Sequence, residues 1–401
     1  MEWYDFAIYA ALGVVITPLF LPTRDPDLLL LATFFLYATA FLLRPMGAVL
    51  FGRWADAHGR QGAFVTVLVL MSVATAAVGL LPVYATVGII APVALLVLRA
   101  VQGVAAGGEL GLAAVFIAES APKGRRGAFG AWHTATLALG LATGLGVGGL
   151  VQLLPSEMVQ AGWWRAPLLI AVPLGLVGIY LRRSGQETVA YVGSRRAPLG
   201  GKGTVRQVWS SHRRGALTGF SVIAAGSLTF NTFFVFLPNH LVATGQWAAS
   251  QTLFAAVIGL LATAASALGL GALSDRTGRR PVVLGSLMVL VVAAAPLMLL
   301  TRSEDLLVIV LAEVIAGVAI GGVLSVALLT EMFPTAVRAT GLGLTAGLAT
   351  ALIGGTAPLV DQLLVVSTGR DLAPAAYVAA VAAISFLVLW RWPETAFRDL
   401  D

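Results

Sequence analysis

The sequence predicts an all-α polytopic membrane protein, with twelve transmembrane helices in two pseudo-symmetric six-helix bundles. Three observations carry that expectation: the ratio of apolar to charged residues, the number of apolar runs, and a set of motifs that occurs twice. Of 401 residues, 58% are hydrophobic and 11% charged, and mean hydropathy is +0.91. A soluble domain carries about 25% charged residues, so a soluble enzyme, a disordered tail and a secreted disulfide scaffold are excluded. A β-barrel alternates apolar and polar residues with period two. Here LLLLATFFLYATAFLL from Leu28 is continuously apolar, and in lipid such a run satisfies its own backbone only as a helix.

A span needs roughly 20 apolar residues. Runs between polar breaks fall near 3–20, 28–50, 63–81, 88–118, 128–151, 164–182, 214–241, 248–270, 281–300, 305–330, 339–365 and 373–391. The first is short and begins abruptly, so either that helix is short or residues precede Met1. The loops at 51–62, 119–127, 182–214, 271–280 and 331–338, with the tail after 390, hold 19 of the 25 basic residues. The alternate loops hold only Arg24, Arg165, Arg302 and Arg370. The positive-inside rule therefore places the basic loops and both termini in the cytoplasm of an inner or plasma membrane protein. Without a basic n-region, the first segment does not read as a cleavable signal peptide. There are no cysteines, which excludes disulfides and thiolate metal sites. The +6 net charge lies in particular loops, as topology demands, and does not indicate nucleic acid.

The loop after the second segment reads GRWADAHGR from Gly52, and that after the eighth reads GALSDRTGR from Gly271. Glu119-x-x-Pro122-x-x-x-Arg126 recurs as Glu331-x-x-Pro334-x-x-x-Arg338, and Glu187-Thr188 as Glu394-Thr395. Three motifs in one order at a nearly constant offset divide the chain into a bundle at 1–182, a linker at 183–213, a bundle at 214–391 and a tail at 392–401. The linker is polar and Gly-rich, through Arg195, Arg196, Gly200, Gly201 and Lys202. Two similar bundles meet at a seam that opens to either side by rocking, which is alternating access. The sequence therefore predicts a secondary transporter.

The repeated G-x-x-x-D-x-x-G-R loop is similar to the signature of the major facilitator superfamily. Further stretches resemble its metabolite:proton symporter family, whose members carry 2-oxoglutarate, citrate, shikimate and proline or betaine. They are Glu2-Trp3-Tyr4-Asp5-Phe6, Arg44-Pro45-Met46-Gly47, Arg99-x-x-Gln102-Gly103-x-x-x-Gly107-Gly108-Glu109, and Glu331-Met332-Phe333-Pro334 followed by Gly354-Gly355-Thr356-Ala357-Pro358. The resemblance implies proton-coupled symport of a small organic anion (mono-, di- or tricarboxylate) or zwitterion, by a protein that works as a monomer. It also implies a cavity lined by helices 1, 4, 7 and 10. One departure stands out: the family's Tyr-Asn pair in helix 11 is here Ala346-Gly347, which implies a roomier, more apolar pocket.

An ionisable group at mid-bilayer costs about 2.5–3.5 kcal/mol on insertion scales, so each needs a partner or a function. Arg99 lies near the midplane of the fourth segment, with Gln102 and Glu109 on its face. It reads as a fixed cation for substrate or proton coupling, or as a lock between helices. By resemblance to sugar carriers that pair a first-helix Asp with a fourth-helix Arg, Asp5 is its partner. A substrate carboxylate that captured Arg99 would leave Asp5 to take a proton, which couples the two bindings. Asp5 as a permanent counter-ion is the alternative. Tyr9, Asn231 and Glu313 are further substrate-site candidates; Glu313 reads equally as the partner of an arginine. Phe230, Phe233 and Phe234 read as core or lipid-facing. His133 reads as titratable or packed. Arg44 reads as structural, snorkelling to the interface or reaching toward Glu109.

In the basic loops, Asp56 and Asp275 should each meet the positive N-terminus of a helix in the same half. Arg53, Arg60, Arg126, Arg279 and Arg338 are placed to pair with Glu119 or Glu331 in a gate that closes the cytoplasmic side. Gly59 and Gly278 fit turns needing positive φ. A glycine-rich fifth segment (Gly140, Gly144, Gly146, Gly148 and Gly149) keeps a proton-driven exporter of amphipathic compounds open as an alternative, along with a uniporter. No Walker loop, HExxH or Gly-x-Ser-x-Gly is present. An enzyme is not expected, and neither is a cofactor or metal.

Overall fold

The structure, a computed structural model, describes residues 2–23, 25–58, 60–107, 117, 121–122, 124–183, 208–334 and 337–397. Among these there is helix and turn but no strand. The first half contains α1 (Glu2–Phe20), α2 (Pro26–Leu42), α3 (Arg44–His58), α4 (Arg60–Leu80), α5 (Ile90–Gly107), α6 (Arg126–Gln152) and α7 (Ala171–Arg183). The second contains α8 (Arg213–Asn231), α9 (Leu237–Ala243), α10 (Ala249–Thr277), α11 (Arg279–Leu300), α12 (Leu306–Val323), α13 (Val326–Glu331), α14 (Arg338–Ala349), α15 (Ala357–Thr368) and α16 (Ala373–Trp390). Nine helical stretches of the described residues are long and apolar enough to cross a membrane, and two more, Val65–Leu80 and Trp163–Gly178, are shorter and apolar.

Five of the expected continuous segments are broken; the one at 164–182 is interrupted at Ile170, and the other four break each for a local reason. Pro45 has no N–H, and the chain restarts at Arg44 after a cap at Leu43. Between α8 and α9 a π-helical turn, Thr232–Phe236, precedes Pro238. Between α14 and α15 a second π-turn, Thr350–Gly354, precedes Gly355 and Pro358. Between α12 and α13 the helix opens at Leu324, and the Ser325 hydroxyl caps the new start at the Leu328 amide. Elsewhere the ends are conventional: the Asp25 carboxylate caps α2 by accepting from the amides of Asp27 and Leu28. Gly278 joins α10 to α11 with φ +106°, as its repeated position predicts; Gly59 lies outside the described residues.

Small residues set how closely helices approach. A Cβ on Gly103 would overlap the carbonyl of Ala40, one on Gly107 that of Arg44, and one on Gly47 that of Val104. The Gly103-x-x-x-Gly107 stripe of α5 therefore lies directly on the backbone of α2 and α3, as small-residue stripes do in membranes. Gly103→Val drives methyl groups into that carbonyl with no flexible neighbour to yield. It is expected to destabilise the first bundle by about 1–3 kcal/mol or more, read as a lowered melting temperature in detergent.

The two halves meet along α6 and α10, and along α2 and α15, with α1 against α9. One end of the molecule carries Arg126, Asp275, Arg279, Glu331 and Glu394; it is called the basic face below. Trp3 packs at Gly140, fourteen residues into α6, about 21 Å from that face. Asp5 is thus at mid-depth.

Candidate functional site

A cavity of about 110 Å³ lies on the seam between the halves. Its wall comes from His133, Thr134 and Leu137 of α6, from Ile223, Ser227, Phe230 and Asn231 of α8, and from Leu342, Ala346, Thr350 and Gly354 of α14 and its π-turn. Trp3, Phe41 and the broken α12–α13 segment (Leu324, Val326, Leu329) complete it. On α14 and its π-turn the lining residues recur every four positions, and on α8 Ile223, Ser227, Phe230 and Asn231 also fall on one face. Among the described residues lining it there is no Lys, Arg, Asp or Glu. Ala346 is on the wall, and a side chain at Gly347 would meet open space. At Ala346 the wall is apolar, as expected; Gly347 is not on it.

Tyr37 and Asn231 close the cavity on the side away from the basic face. The Tyr37 hydroxyl donates to Asn231 Oδ1 at 2.9 Å, and Asn231 Nδ2 donates back to the Ser227 carbonyl at 2.8 Å. Further out, Asn239 Nδ2 donates to the Ala10 carbonyl at 3.1 Å, and Gln362 Nε2 to Asp27 Oδ1 at 3.0 Å. All three cross-bundle bonds join the first half to the second. On the other flank the hydroxyl of Thr134 donates to the Leu324 carbonyl at 2.8 Å. That bond gives the opened turn of α12–α13 a donor from the opposite half.

Of the substrate candidates read from sequence, Asn231 is on the cavity wall. Arg99, Gln102, Tyr9 and Glu313 are buried but off it. Arg99 stacks on the Tyr9 ring at 3.3 Å and lies within electrostatic reach of Asp5 and Tyr37. Asp5 and Arg99 are each 1% exposed. Gln102 Nε2 donates to the Thr75 hydroxyl at 2.7 Å. Arg44 does not snorkel: its guanidinium is enclosed by Trp3, Phe6 and Phe41, at 5.1, 4.6 and 4.1 Å from the ring centres. This cation–π enclosure involves rings from two other helices, so periodicity within its own segment does not reveal it. Glu313 packs against Gly259 of α10, and among the described residues its Oε2 has no hydrogen-bond partner. Phe230 borders the cavity, while Phe233 and Phe234 are core. His133 is also on the wall. A further buried acid, Asp361, is 0% exposed; its sequence signal is an acidic residue inside the eleventh apolar run.

At the basic face, Asp275 at the end of α10 accepts from the amides of Gly127 and Ala128, at 2.8 and 2.9 Å. These amides begin α6, so Asp275 caps a helix of the opposite half, not of its own half as expected. The reason is packing: α6 and α10 are seam neighbours, with Gly127 and Gly271 in backbone contact. Arg279 ties the cluster together. Its Nη1 meets Asp275 Oδ1 at 2.7 Å and the Ser274 hydroxyl at 2.8 Å, and its Nη2 meets Glu331 Oε1 at 3.4 Å. Arg126 of the first half reaches Glu331 at 3.9 Å. Arg338 Nε donates to the carbonyls of Thr330 and Phe333. The side chains of Arg53, Asp56, Arg60, Glu109 and Glu119 lie outside the described residues.

Glu394, read from sequence only as a repeated motif, caps α11. Its carboxylate accepts from the amides of Arg279 and Arg280, at 2.8 and 3.1 Å, and from those of Thr395 and Ala396. Burial pushes this carboxyl up, but the four amides outweigh it and hold its pKa below the usual value. A depressed folded pKa means the stabilisation is complete above the unfolded value of 4.5 and is lost as pH falls through the folded one. Acidification below pH 4.5 is therefore expected to release the tail from α11, read as faster amide exchange at Arg279 and Arg280. Glu394→Gln should abolish that pH dependence.

A two-bundle helical protein with a seam cavity and cross-bundle contacts at both ends has the architecture of a secondary transporter. The chain belongs to the Major Facilitator Superfamily, whose model matches residues 6–358 and 219–398. It is a transporter of that superfamily and not an enzyme. It is 32% identical to a proline/betaine transporter of Escherichia coli K12, over 100% of this chain and 82% of that protein. To the ectoine/proline transporter ProP of Corynebacterium glutamicum it is 32% identical, over 100% and 83%. In fold it is similar to a crystal structure of a D-xylose-proton symporter, with TM-score 0.76 and 17% identity over 100% of this chain and 96% of that one. A partially occluded inward-open structure of the xylose transporter XylE from E. coli gives TM-score 0.72 at 16% identity, over 100% and 96%.

Proposed function

We propose that the protein is a proton-coupled symporter of a small zwitterion of the betaine or proline kind, working by alternating access. In this reading it is a monomer of twelve spans in a lipid bilayer. The bundles fall at 1–182 and 214–391, the linker at 183–213, and both termini face the cytoplasm with the basic face. One observation carries the substrate class: the described cavity wall bears neutral polar groups and aromatic rings but no ionised side chain. A di- or tricarboxylate entering such a site would leave several buried charges uncompensated. A zwitterion brings its own counter-charge. Its ammonium suits the face of Phe230, since quaternary ammonium groups are held by aromatic rings. Trp3 and Phe41 already hold one cation, Arg44, which repels a second from their faces and favours the carboxylate end of the substrate on that side. The carboxylate suits Asn231 Nδ2, Ser227 and Thr350. The names of the relatives, carriers of proline, betaine and ectoine, support this reading.

The test is counterflow in liposomes with glycine betaine, proline, 2-oxoglutarate and citrate, with and without a pH gradient. Exchange of the zwitterions, and their accumulation when the outside is acidic, is the expected result. Exchange of citrate or 2-oxoglutarate alone, or no response to the gradient, would overturn it.

A further inference from the structure

We propose that Asp361, bonded to Thr232 beyond the cavity, is a second proton-carrying site, borne by the second bundle and separate from the Asp5–Arg99 pair of the first. The proposal rests on the reading of proton-coupled transport and adds a site to it.

Asp361 is 0% exposed. Its Oδ2 accepts from the Thr232 hydroxyl at 2.7 Å, and its Oδ1 has no hydrogen-bond partner among the described residues. Four elements pack on α15: α2, α16, the Thr232–Phe236 π-turn and α8. Their titratable groups are Asp27 and Tyr37 on α2 and Tyr377 on α16, and His240 follows the π-turn on α9. Of these segments only α8 carries Lys or Arg, and its Arg213 and Arg214 stand at its far end, roughly 27 Å away along the helix. An ionised carboxylate so enclosed, with one hydroxyl donor and no cation, is costly by several kcal/mol. In this closed arrangement Asp361 therefore holds a proton.

The surroundings supply a way to release it. Thr232 is the chain neighbour of Asn231, whose side chain lines the cavity and seals it with Tyr37. Asp361 follows Gly354, another wall residue, by seven positions, about 10 Å. Both helices carry a π-turn here, Thr232–Phe236 and Thr350–Gly354, and π-turns mark places where a helix shifts register at functional sites. When Tyr37 and Asn231 part, water from the outer side reaches the Asp361 carboxyl, which takes a proton there. When they rejoin, it is sealed protonated. When the basic face opens, water filling the cavity past Asn231 and Gly354 reaches the carboxyl, which releases the proton to that side, so one proton crosses per cycle.

Asp361→Asn keeps an oxygen for Thr232 and cannot carry a proton. Glycine betaine accumulation in proteoliposomes at zero membrane potential gives the stoichiometry, because each coupled proton adds about tenfold per pH unit. The expected result is that counterflow persists while the accumulation ratio falls about tenfold per pH unit. An unchanged slope overturns the proposal. Counterflow without a gradient tests the substrate reading separately, so the two failures are distinguishable. Should Asp361→Asn not fold, infrared spectroscopy of the wild-type protein decides. A protonated-carboxyl band at neutral pH that shifts in Thr232→Val but not in Glu313→Gln supports the site, and a band unmoved by Thr232→Val overturns it.

Discussion

Arg279→Gln is expected to unlock the basic face and slow transport by at least about tenfold while sparing substrate binding. Arg279 is 1% exposed and stands between Asp275 and Glu331, whose side chains are 8% and 3% exposed. Removing the guanidinium leaves two buried carboxylates facing each other, with Arg126 at 3.9 Å the one remaining described cation. Breaking a buried pair in this way costs about 3–5 kcal/mol. Much of that cost falls on the closed state of this face, because Asp275 and Arg126 join one half to the other. Arg279→Lys keeps the charge but cannot bridge both carboxylates with one planar fork, so it should recover only part of the function. Adding Glu331→Gln to Arg279→Gln removes one of the stranded charges and should also restore part. The absence of cysteine permits a direct readout. Ala131, buried beside Gly271 of the other half, becomes a reporter as Ala131→Cys. Its thiol labelling rate should rise in Arg279→Gln; equal labelling rates and equal transport would refute the gate.

The parts of this site that were legible in sequence are those built from local rules. Helical segments follow from apolar runs, Gly278 from the repeated turn, and the charged cluster of Arg126, Asp275, Arg279 and Glu331 from a motif whose spacing survives duplication. The apolar wall was legible at Ala346. What stayed hidden depends on contacts between distant segments. The helix dipole draws the Asp275 carboxylate to a helix N-terminus but does not say which one, so the sequence places it within its own half. The facing of α6 and α10 decides that. Arg44 turns inward because Trp3 and Phe6 of α1 come to meet it. The cavity itself is made of neutral side chains from six helices, none of which stands out alone. Asp361 differs: an acidic residue in an apolar run is visible without a structure, but it falls just past the Gly354–Pro358 motif and not within it.

Asp5→Asn is expected to abolish most pH-driven accumulation while leaving exchange intact. Asp5 sits at mid-depth, 1% exposed, within electrostatic reach of Arg99. The guanidinium itself is seated on the Tyr9 ring. The amide keeps the shape of the carboxyl and removes both its charge and its proton chemistry, so Arg99 loses the favourable field of a nearby carboxylate, at a cost in stability. That cost should appear as a lowered melting temperature, and Arg99→Leu added to Asp5→Asn should restore part of it, since a buried pair replaced by apolar groups is often neutral. The functional readout is separate from stability. If Asp5 exchanges Arg99 for a proton during the cycle, the accumulation ratio falls about tenfold per pH unit, whereas a fixed counter-ion would lower the rate and leave that slope alone. Combined with Asp361→Asn, the two slopes should subtract independently, because the residues lie on helices of different halves of the chain. A wild-type slope in Asp5→Asn would make the Asp5–Arg99 pair a structural lock and leave coupling to the second bundle alone.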